Sequence, residues 1–237
     1  MKTLHLLSGG AAQGLVAQLE DAFEAAQQCA IDASFGAVGM MRDNLLAGSP
    51  CDMVILTGAL VDQLTASGHL VAGSSRAIGA VKTGVAVKAG TPLPRVGTPA
   101  ELKAALQSAT GIYFPDPVKA TAGIHFFGVL KTLELDELLA DRLCPFPNGA
   151  AAMQALAEAD ETAAIGCTQV TEILYTEGVT LVAALPEEFE LATTYTAAIC
   201  TGAREPDAAR ALIAELVSPG AAAIRAGCGF EPVRDKS

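Results

Sequence analysis

A loop of small residues follows an apolar run at the start of the chain. Residues 3–7 are typical of a buried strand, and Ser8, Gly9 and Gly10 then precede a helical repeat that begins near Ala11. The first N–H groups of a helix have no partner within it, and the helix dipole adds partial positive charge there. We therefore expect Ser8, Gly9 and Gly10 to bind an anion. A tight strand-to-helix turn also needs small residues, and the two interpretations are compatible.

Similar junctions recur along the chain, and each supplies candidate ligand-binding residues. Thr121 is expected to be the N-cap of its helix. Lys119 is either a ligand-binding residue or a solvated surface lysine. The apolar side chains of Ala37 and Val38 would suit a ligand with a hydrocarbon part. The candidates are a loop of Gly36, Ala37, Val38 and Gly39, the helix starts at Lys119 and Thr121 and at Thr168 and Gln169, and the turn Asn148 and Gly149.

His125 is the candidate general base. It lies about one turn into the helix that begins near Thr121, and imidazole titrates near neutral pH. Because the rest of this helix is mostly apolar, a packing role is the alternative. His5, within a buried strand, and His69, in a polar loop, are weaker candidates.

The six cysteines show neither a CxxC pair nor the spacing of metal ligands. They are scattered through mostly apolar surroundings, as buried free thiols of a reducing compartment are. The sequence therefore predicts no disulfide framework and no metal site. It also gives no sign of an organic cofactor.

Strands that alternate with helices must position these residues. Thr98 is expected to cap a helix that has Pro99 at its first position, and a later helix is expected to bury Ile124. The alternation predicts α/β architecture with parallel sheets. The expected strands lie near residues 3–7, 30–35, 51–56, 80–87, 111–114, 163–167, 179–185 and 194–201, and the principal helices begin near residues 11, 40, 99, 121, 149, 168 and 206.

Composition limits the possible partners. The 237 residues are 51% hydrophobic and 17% charged, enough for one large or two small domains. The net charge of −11 argues against nucleic acids and anionic membranes. Apolar runs are too short for a membrane span or for the core of a signal peptide. We expect a cytoplasmic protein, or a periplasmic one if the native gene encodes a leader upstream. The sequence makes no prediction of the oligomeric state.

Three segments resemble a known family in order and spacing. They are residues 46–55, then Asp116-Pro117 followed by Ala122-Gly123-Ile124, and residues 165–167. The chain resembles the periplasmic molybdate-binding proteins over nearly its whole length. The resemblance implies a two-lobed type 2 periplasmic-binding-protein fold, with the ligand in the cleft between two α/β lobes. Lobe 1 would hold residues 1–78 and 197–237 and lobe 2 residues 79–196, with crossing strands near 76–81 and 192–196.

The residues that bind the oxyanion in that family differ here. Gly10 stands where the family has a serine, residues 36–39 replace a serine-rich loop, and Gln169 replaces a common tyrosine. Each lost hydrogen-bond partner costs about 1–3 kcal/mol. We therefore expect the small anionic ligand to be a carboxylate rather than molybdate.

Three functions are compatible with these residues. A group of isomerases of the aconitate isomerase type is similar to the molybdate-binding proteins. The lack of a signal-peptide core, and the glycines and aliphatic residues in place of the family's serines, favour a cytoplasmic isomerase, allylic or cis–trans, of a small unsaturated di- or tricarboxylate held by helix N-termini. The alternative is the solute-binding protein of an ABC-type transporter, specific for a molybdate-like oxyanion or a carboxylate. The third is an intracellular ligand sensor without chemistry.

Overall fold

Strands and helices alternate through the computed structural model, which describes residues 2–160 and 163–233. The longest described helix has 15 residues, and none of those described is both long and apolar enough to cross a membrane. In chain order the elements are β1 (Lys2–Gly9), α1 (Gln13–Gln27), β2 (Cys29–Gly36), α2 (Val38–Leu46), β3 (Met53–Thr57), α3 (Gly58–Ala66), β4 (Arg76–Lys88), α4 (Pro99–Ser108), β5 (Ile112–Pro115), α5 (Thr121–Thr132), β6 (Leu143–Phe146), α6 (Gly149–Glu158), β7 (Ile165–Gln169), α7 (Val170–Tyr175), β8 (Val179–Ala184), β9 (Ala192–Ile199), α8 (Pro206–Val217) and α9 (Ala222–Gly227).

The chain divides into two units. The first comprises Met1–Val81 and Thr193–Ser237, and the second comprises Lys82–Ala192. The arrangement of the two lobes and the crossing strands stay predictions.

The first unit contains a mixed sheet in the order β2-β1-β3-β9. β1 is parallel to β2 and β3, whereas β9 is antiparallel to β3. α1 buries an apolar stripe of Leu15, Val16, Leu19 and Phe23. These side chains join the buried residues of β1, β3, β9 and α8 in one core. The sheet is thereby fixed against its helices, and the carboxyl ends of β1, β2 and β3 lie at one edge.

The second unit contains a mixed sheet in the order β8-β4-β7-β5-β6. β4 is antiparallel to β7 and β8, and β5 is parallel to β6 and β7. Successive side chains of a strand point to opposite faces. Val85 accordingly packs with Phe126 of α5, whereas Ala86 packs with Met153 and Leu156 of α6. α5 and α6 are therefore held on opposite faces.

Several predicted elements agree with the structure, and two details differ. Thr98 caps α4, and α8 spans the predicted residues. No strand is predicted from the sequence at β6, because residues 143–146 contain one proline and a second proline follows directly. Proline cannot donate to a sheet, and β6 is the edge strand, where proline is tolerated. The predicted burial of Ile124 is wrong: its side chain is exposed, and α5 instead buries Phe126 and Val129.

Candidate functional site

In the first unit, three strand-to-helix junctions share one edge of the sheet. Gly9 of β1 is the register partner of Gly36 of β2, and Ser8 is the partner of Ile55, two residues before the end of β3. A 3₁₀ turn over residues 10–12 leads into α1, and α2 and α3 begin at Val38 and Gly58. Because β1, β2 and β3 are parallel, the chain segments that open these helices all lie at this edge.

Gly9 allows β1 to approach the start of α2. A Cβ atom on Gly9 would lie 2.8 Å from Cγ1 of Val38 and 3.0 Å from Cε1 of Tyr195. The glycine therefore has a packing reason as well as its predicted place beside a ligand. Val38 and Gly39 were expected in a loop, but they form the first turn of α2, with Ala37 as N-cap. The loop is shorter than predicted because the helix begins immediately after the strand.

The Ser8 hydroxyl is already hydrogen-bonded and buried. Its Oγ donates to the carbonyl oxygen of Gly9 over 2.9 Å, and the residue is 0% exposed. Gly10 lies in the 3₁₀ turn and is also buried. At this junction, backbone N–H groups at the helix start are therefore the donors suited to an anion.

Thr57 is a hydroxyl residue of this edge that the sequence interpretation did not single out. It is the N-cap of α3, and its Oγ1 accepts a hydrogen bond from the N–H of Leu60 over 3.4 Å. A threonine directly after a buried strand and before an apolar helical stripe is the sequence signal for such a cap.

The second unit repeats the pattern with β5, β6 and β7, which are parallel and are followed by α5, α6 and α7. Asn148 is the N-cap of α6, and its Oδ1 accepts from the N–H of Ala151 over 2.9 Å. Thr168 and Gln169, expected to open a helix, are instead the last two residues of β7. Gln169 is also the N-cap of α7. The side chains of Thr168 and Gln169 consequently point to opposite faces of the sheet.

On the α6 face, Glu172 forms a buried polar cluster with Thr168 and Gly149. The Thr168 hydroxyl donates to Oε2 of Glu172 over 2.5 Å. Burial raises the pKa of Glu172 to about 7, and hydrogen bonds from Thr168 and from the backbone N–H groups of Gln169 and Gly149 oppose part of this rise. A Cβ atom on Gly149 would overlap both Oε2 of Glu172 and Oγ1 of Thr168. Two predicted ligand-binding residues, Gly149 and Thr168, thus contact this carboxyl group.

Glu172 could have been found from the sequence. It stands three residues after the N-cap Gln169 and reaches back to the N–H of that residue. This is the reciprocal half of a capping box, in which an N3 glutamate binds the N-cap N–H. A helix that opens at Thr168, as expected, would place Glu172 beyond its N3 position, so the motif was not matched.

On the opposite face, the Gln169 amide is buried without a hydrogen-bond partner among the described residues. Gln169 is 2% exposed, and both Nε2 and Oε1 lack a partner. Its register partner on β4, Thr83, is 1% exposed, and its Oγ1 is likewise unpartnered within the described chain. Register partners share a face, and buried polar groups almost always have partners. The two side chains mark a place where a bound polar group would complete the hydrogen bonding.

The junction before α5 holds Lys119 and Thr121. Oδ1 of Asp116 accepts from the N–H groups of Val118, over 2.6 Å, and Lys119, over 3.0 Å. The Lys119 side chain is exposed. The prediction that Thr121 is the N-cap is wrong: the cap position is Ala120, and Thr121 is the first helical residue. The helix begins one residue earlier than a cap at Thr121 requires.

His125 contacts a backbone carbonyl. Its Nε2 lies 2.7 Å from the carbonyl oxygen of Phe189, in a 3₁₀ turn over residues 187–189. A carbonyl oxygen can only accept, so Nε2 carries the proton and Nδ1 is the nitrogen available as a base. The contact also fixes α5 against this turn. Catalysis by His125 stays a prediction.

The six cysteines differ in burial. All six cysteines are free, with Cys29, Cys167, Cys200 and Cys228 buried and Cys51 and Cys144 half-buried. Among the residues that the structure describes, no three His, Cys, Asp or Glu side chains are grouped so that they could hold a metal ion.

Comparison with known proteins agrees with the predicted resemblance. Residues 4–231 match the model of a family described as bacterial extracellular solute-binding protein. A protein named aconitate isomerase, from a Pseudomonas species, is 28% identical over 240 residues, which cover 98% of this chain and 88% of that protein.

Solved structures show the same fold. The periplasmic molybdate-binding protein of Azotobacter vinelandii gives a TM-score of 0.81 at 19% identity, covering 98% of this chain and 100% of that one. The sulfate-binding protein SubI of Mycobacterium tuberculosis gives a TM-score of 0.76 at 15% identity, covering 99% of this chain and 88% of that one. The predicted α/β fold class and the resemblance to molybdate-binding proteins are confirmed. Because the family model spans nearly the whole chain, this protein belongs to the bacterial extracellular solute-binding protein family.

Proposed function

We propose that this protein is an isomerase of a small unsaturated di- or tricarboxylate. The observation that carries the proposal is the similarity to aconitate isomerase, which extends over 98% of this chain. The same fold also serves binding proteins, so the choice of an enzyme depends on that relative and on the chemistry of the candidate residues.

The candidate residues suit a carboxylate better than a tetrahedral oxyanion. The Ser8 hydroxyl is already donating to a backbone carbonyl, and residues 36–39 contain no hydroxyl. A tetrahedral oxyanion needs donors on many sides. A carboxylate needs fewer, and backbone N–H groups at the helix starts, with the Gln169 amide, would supply them.

The proposed reaction moves an allylic proton. Helix N-termini would hold the carboxylates and stabilise the negative charge of an enolate-like intermediate. A base takes the proton from the allylic carbon, the electron pair delocalises into the carboxylate, and the proton returns to the same or another carbon. Rotation in the delocalised intermediate would give cis–trans isomerisation. Nδ1 of His125 is the proposed base.

The alternative is a solute-binding protein of an ABC-type transporter. Membership of the solute-binding family and the fold shared with the molybdate- and sulfate-binding proteins favour it. In this case the same residues would bind a molybdate-like oxyanion or a carboxylate, without turnover.

A turnover assay separates the two functions. Purified protein is incubated with cis-aconitate and, separately, with trans-aconitate and other unsaturated di- and tricarboxylates, and ultraviolet absorbance and proton NMR follow the acid. We expect conversion to the same equilibrium mixture from both isomers, and a higher melting temperature with the acid that is turned over. Stabilisation by molybdate, with no turnover of any acid, would contradict the isomerase and support the transporter component.

Cytoplasmic localisation belongs to the same proposal. The six free thiols support it, because thiols persist in reducing compartments. Cell fractionation of the native organism tests it: recovery in the periplasmic fraction would favour the transport function.

A further inference from the structure

Two cysteines that are distant in sequence lie side by side in the first unit. Cys51 precedes β3 by two residues, and Cys200 directly follows β9. β3 and β9 are antiparallel, with Met53 opposite Ile199, and the N–H of Cys200 donates to the carbonyl oxygen of Asp52 over 2.9 Å. The Cys200 thiol donates to Sγ of Cys51, and the two sulfur atoms are 3.4 Å apart.

The pair opens onto a cavity. Cys51 is half-buried, and both cysteines line a cavity of about 350 Å³ together with His5, His69 and Arg204. Cys51 stands at the amino end of β3, whereas the candidate ligand residues of this unit follow the carboxyl ends of the strands. The pair is therefore a separate feature from the candidate ligand-binding edge.

The two thiols have different acidities. The hydrogen bond from Cys200 lowers the pKa of Cys51, and the same contact, with burial, raises the pKa of Cys200. Thiolate is the reactive form of cysteine. Cys51 is the sulfur that should react first with an external reagent, and Cys200 lies where it can react second.

We propose that Cys51 and Cys200 form a thiol–disulfide exchange site for small-molecule disulfides. The Cys51 thiolate attacks one sulfur of the disulfide, a mixed disulfide forms on Cys51, and a first small thiolate leaves. Cys200 then loses its proton and attacks Sγ of Cys51, which releases the second small thiolate. The two thiolates take up the two protons, so the protein loses two electrons and the small disulfide gains them.

Bond formation must bring the two sulfur atoms closer together. They are now 3.4 Å apart, and a disulfide bond is about 2.05 Å long. The bond would join the start of β3 to the end of β9, two strands that are already paired.

Treatment of the full chain with oxidised glutathione tests the site. After alkylation of the remaining thiols, peptide mass spectrometry should find a Cys51–Cys200 cross-link and the other four cysteines alkylated, and a reductant should restore all six thiols. An unchanged count of six thiols, or a cross-link between other cysteines, would overturn the proposal.

Single variants test the order of attack. Cys200→Ser should stop at a glutathionyl group on Cys51, because no second thiol is adjacent. Cys51→Ser should leave Cys200 unmodified, and Cys144→Ser, which removes another half-buried thiol, should form the cross-link as the wild type does. A glutathionyl group on Cys200 in Cys51→Ser, or none on Cys51 in Cys200→Ser, would contradict the assigned roles.

Discussion

Glu172 couples the stability of the second unit to pH. Its pKa is about 7 in the folded protein, against an ordinary value of 4.5, because the carboxyl is buried against Thr168 and Gly149. Between these pH values the folded state binds more protons than the unfolded chain. The free energy of unfolding therefore falls as pH rises from 4.5 to about 7. The free-energy cost of ionising the buried carboxyl is fully present above about pH 7 and absent below about pH 4.5.

Glu172→Gln should remove this dependence. The amide keeps the shape of the side chain but does not ionise. From about pH 5 to about pH 8 the wild type should therefore lose about 2.5 kcal/mol of unfolding free energy relative to the variant. Urea unfolding at the two pH values measures the difference. Glu177→Gln, at an exposed position, is the control and should follow the wild type. Equal losses of stability in wild type and Glu172→Gln would contradict the assignment.

The unpartnered Gln169 amide gives a prediction for binding. Gln169→Leu should weaken the binding of the proposed carboxylate substrate by roughly 10- to 100-fold, since a hydrogen bond to a charged group contributes about 1.5–3 kcal/mol. Stability in the absence of ligand should stay the same or rise, because the variant no longer buries an unpaired amide. Isothermal titration calorimetry and thermal unfolding provide the two measurements. An unchanged dissociation constant would remove Gln169 from the ligand site.

His125→Asn separates catalysis from packing. If Nδ1 of His125 is the base, turnover should fall to the uncatalysed rate while the dissociation constant stays within about twofold of the wild type. If the ring serves only to bind the Phe189 carbonyl, kcat should persist and the melting temperature should fall. Steady-state kinetics and calorimetry on one preparation distinguish the two roles.

At the scale of elements, glycines set how closely helices approach the sheet. Gly149 opens α6 against Glu172 and Thr168, where a Cβ atom has no room. Gly149→Ala should therefore destabilise the protein by about 1–3 kcal/mol. Gly128→Ala is the matched control, because a Cβ atom there meets nothing within 4 Å. It should instead stabilise α5 by about 0.5–1 kcal/mol. Denaturant unfolding of both variants tests the pair, and similar effects would contradict the packing argument.

Elements with strong local signals were predictable from the sequence. α4 has a threonine cap followed by proline, and α8 begins with proline and carries a regular apolar stripe, so both helices follow from local chemistry. β6 was not predictable, because its prolines argue against a strand until its edge position is known. The exposure of Ile124 likewise depends on which side of α5 faces the sheet.

At the scale of the whole molecule, the net charge of −11 opposes the approach of an anion. Screening by salt should therefore raise the association rate of a tricarboxylate, on the order of twofold between about 20 and 200 mM NaCl. Stopped-flow measurements with cis-aconitate at several salt concentrations test this, with a neutral ester of the acid as control. A rate that falls with salt would indicate that local positive charge dominates the encounter.

The sequence by itself determined the α/β class, the resemblance to molybdate-binding proteins and the strand-to-helix junctions. These follow from periodicity, small residues at turns and the order of short motifs, which are all local along the chain. The tertiary structure decided which groups at those junctions are already in use. The Ser8 hydroxyl donates to Gly9, Glu172 binds Thr168 and Gly149, and the Gln169 amide is left without a partner in the described chain. Burial and hydrogen bonding depend on what other strands and helices bring nearby, so no local pattern contains them.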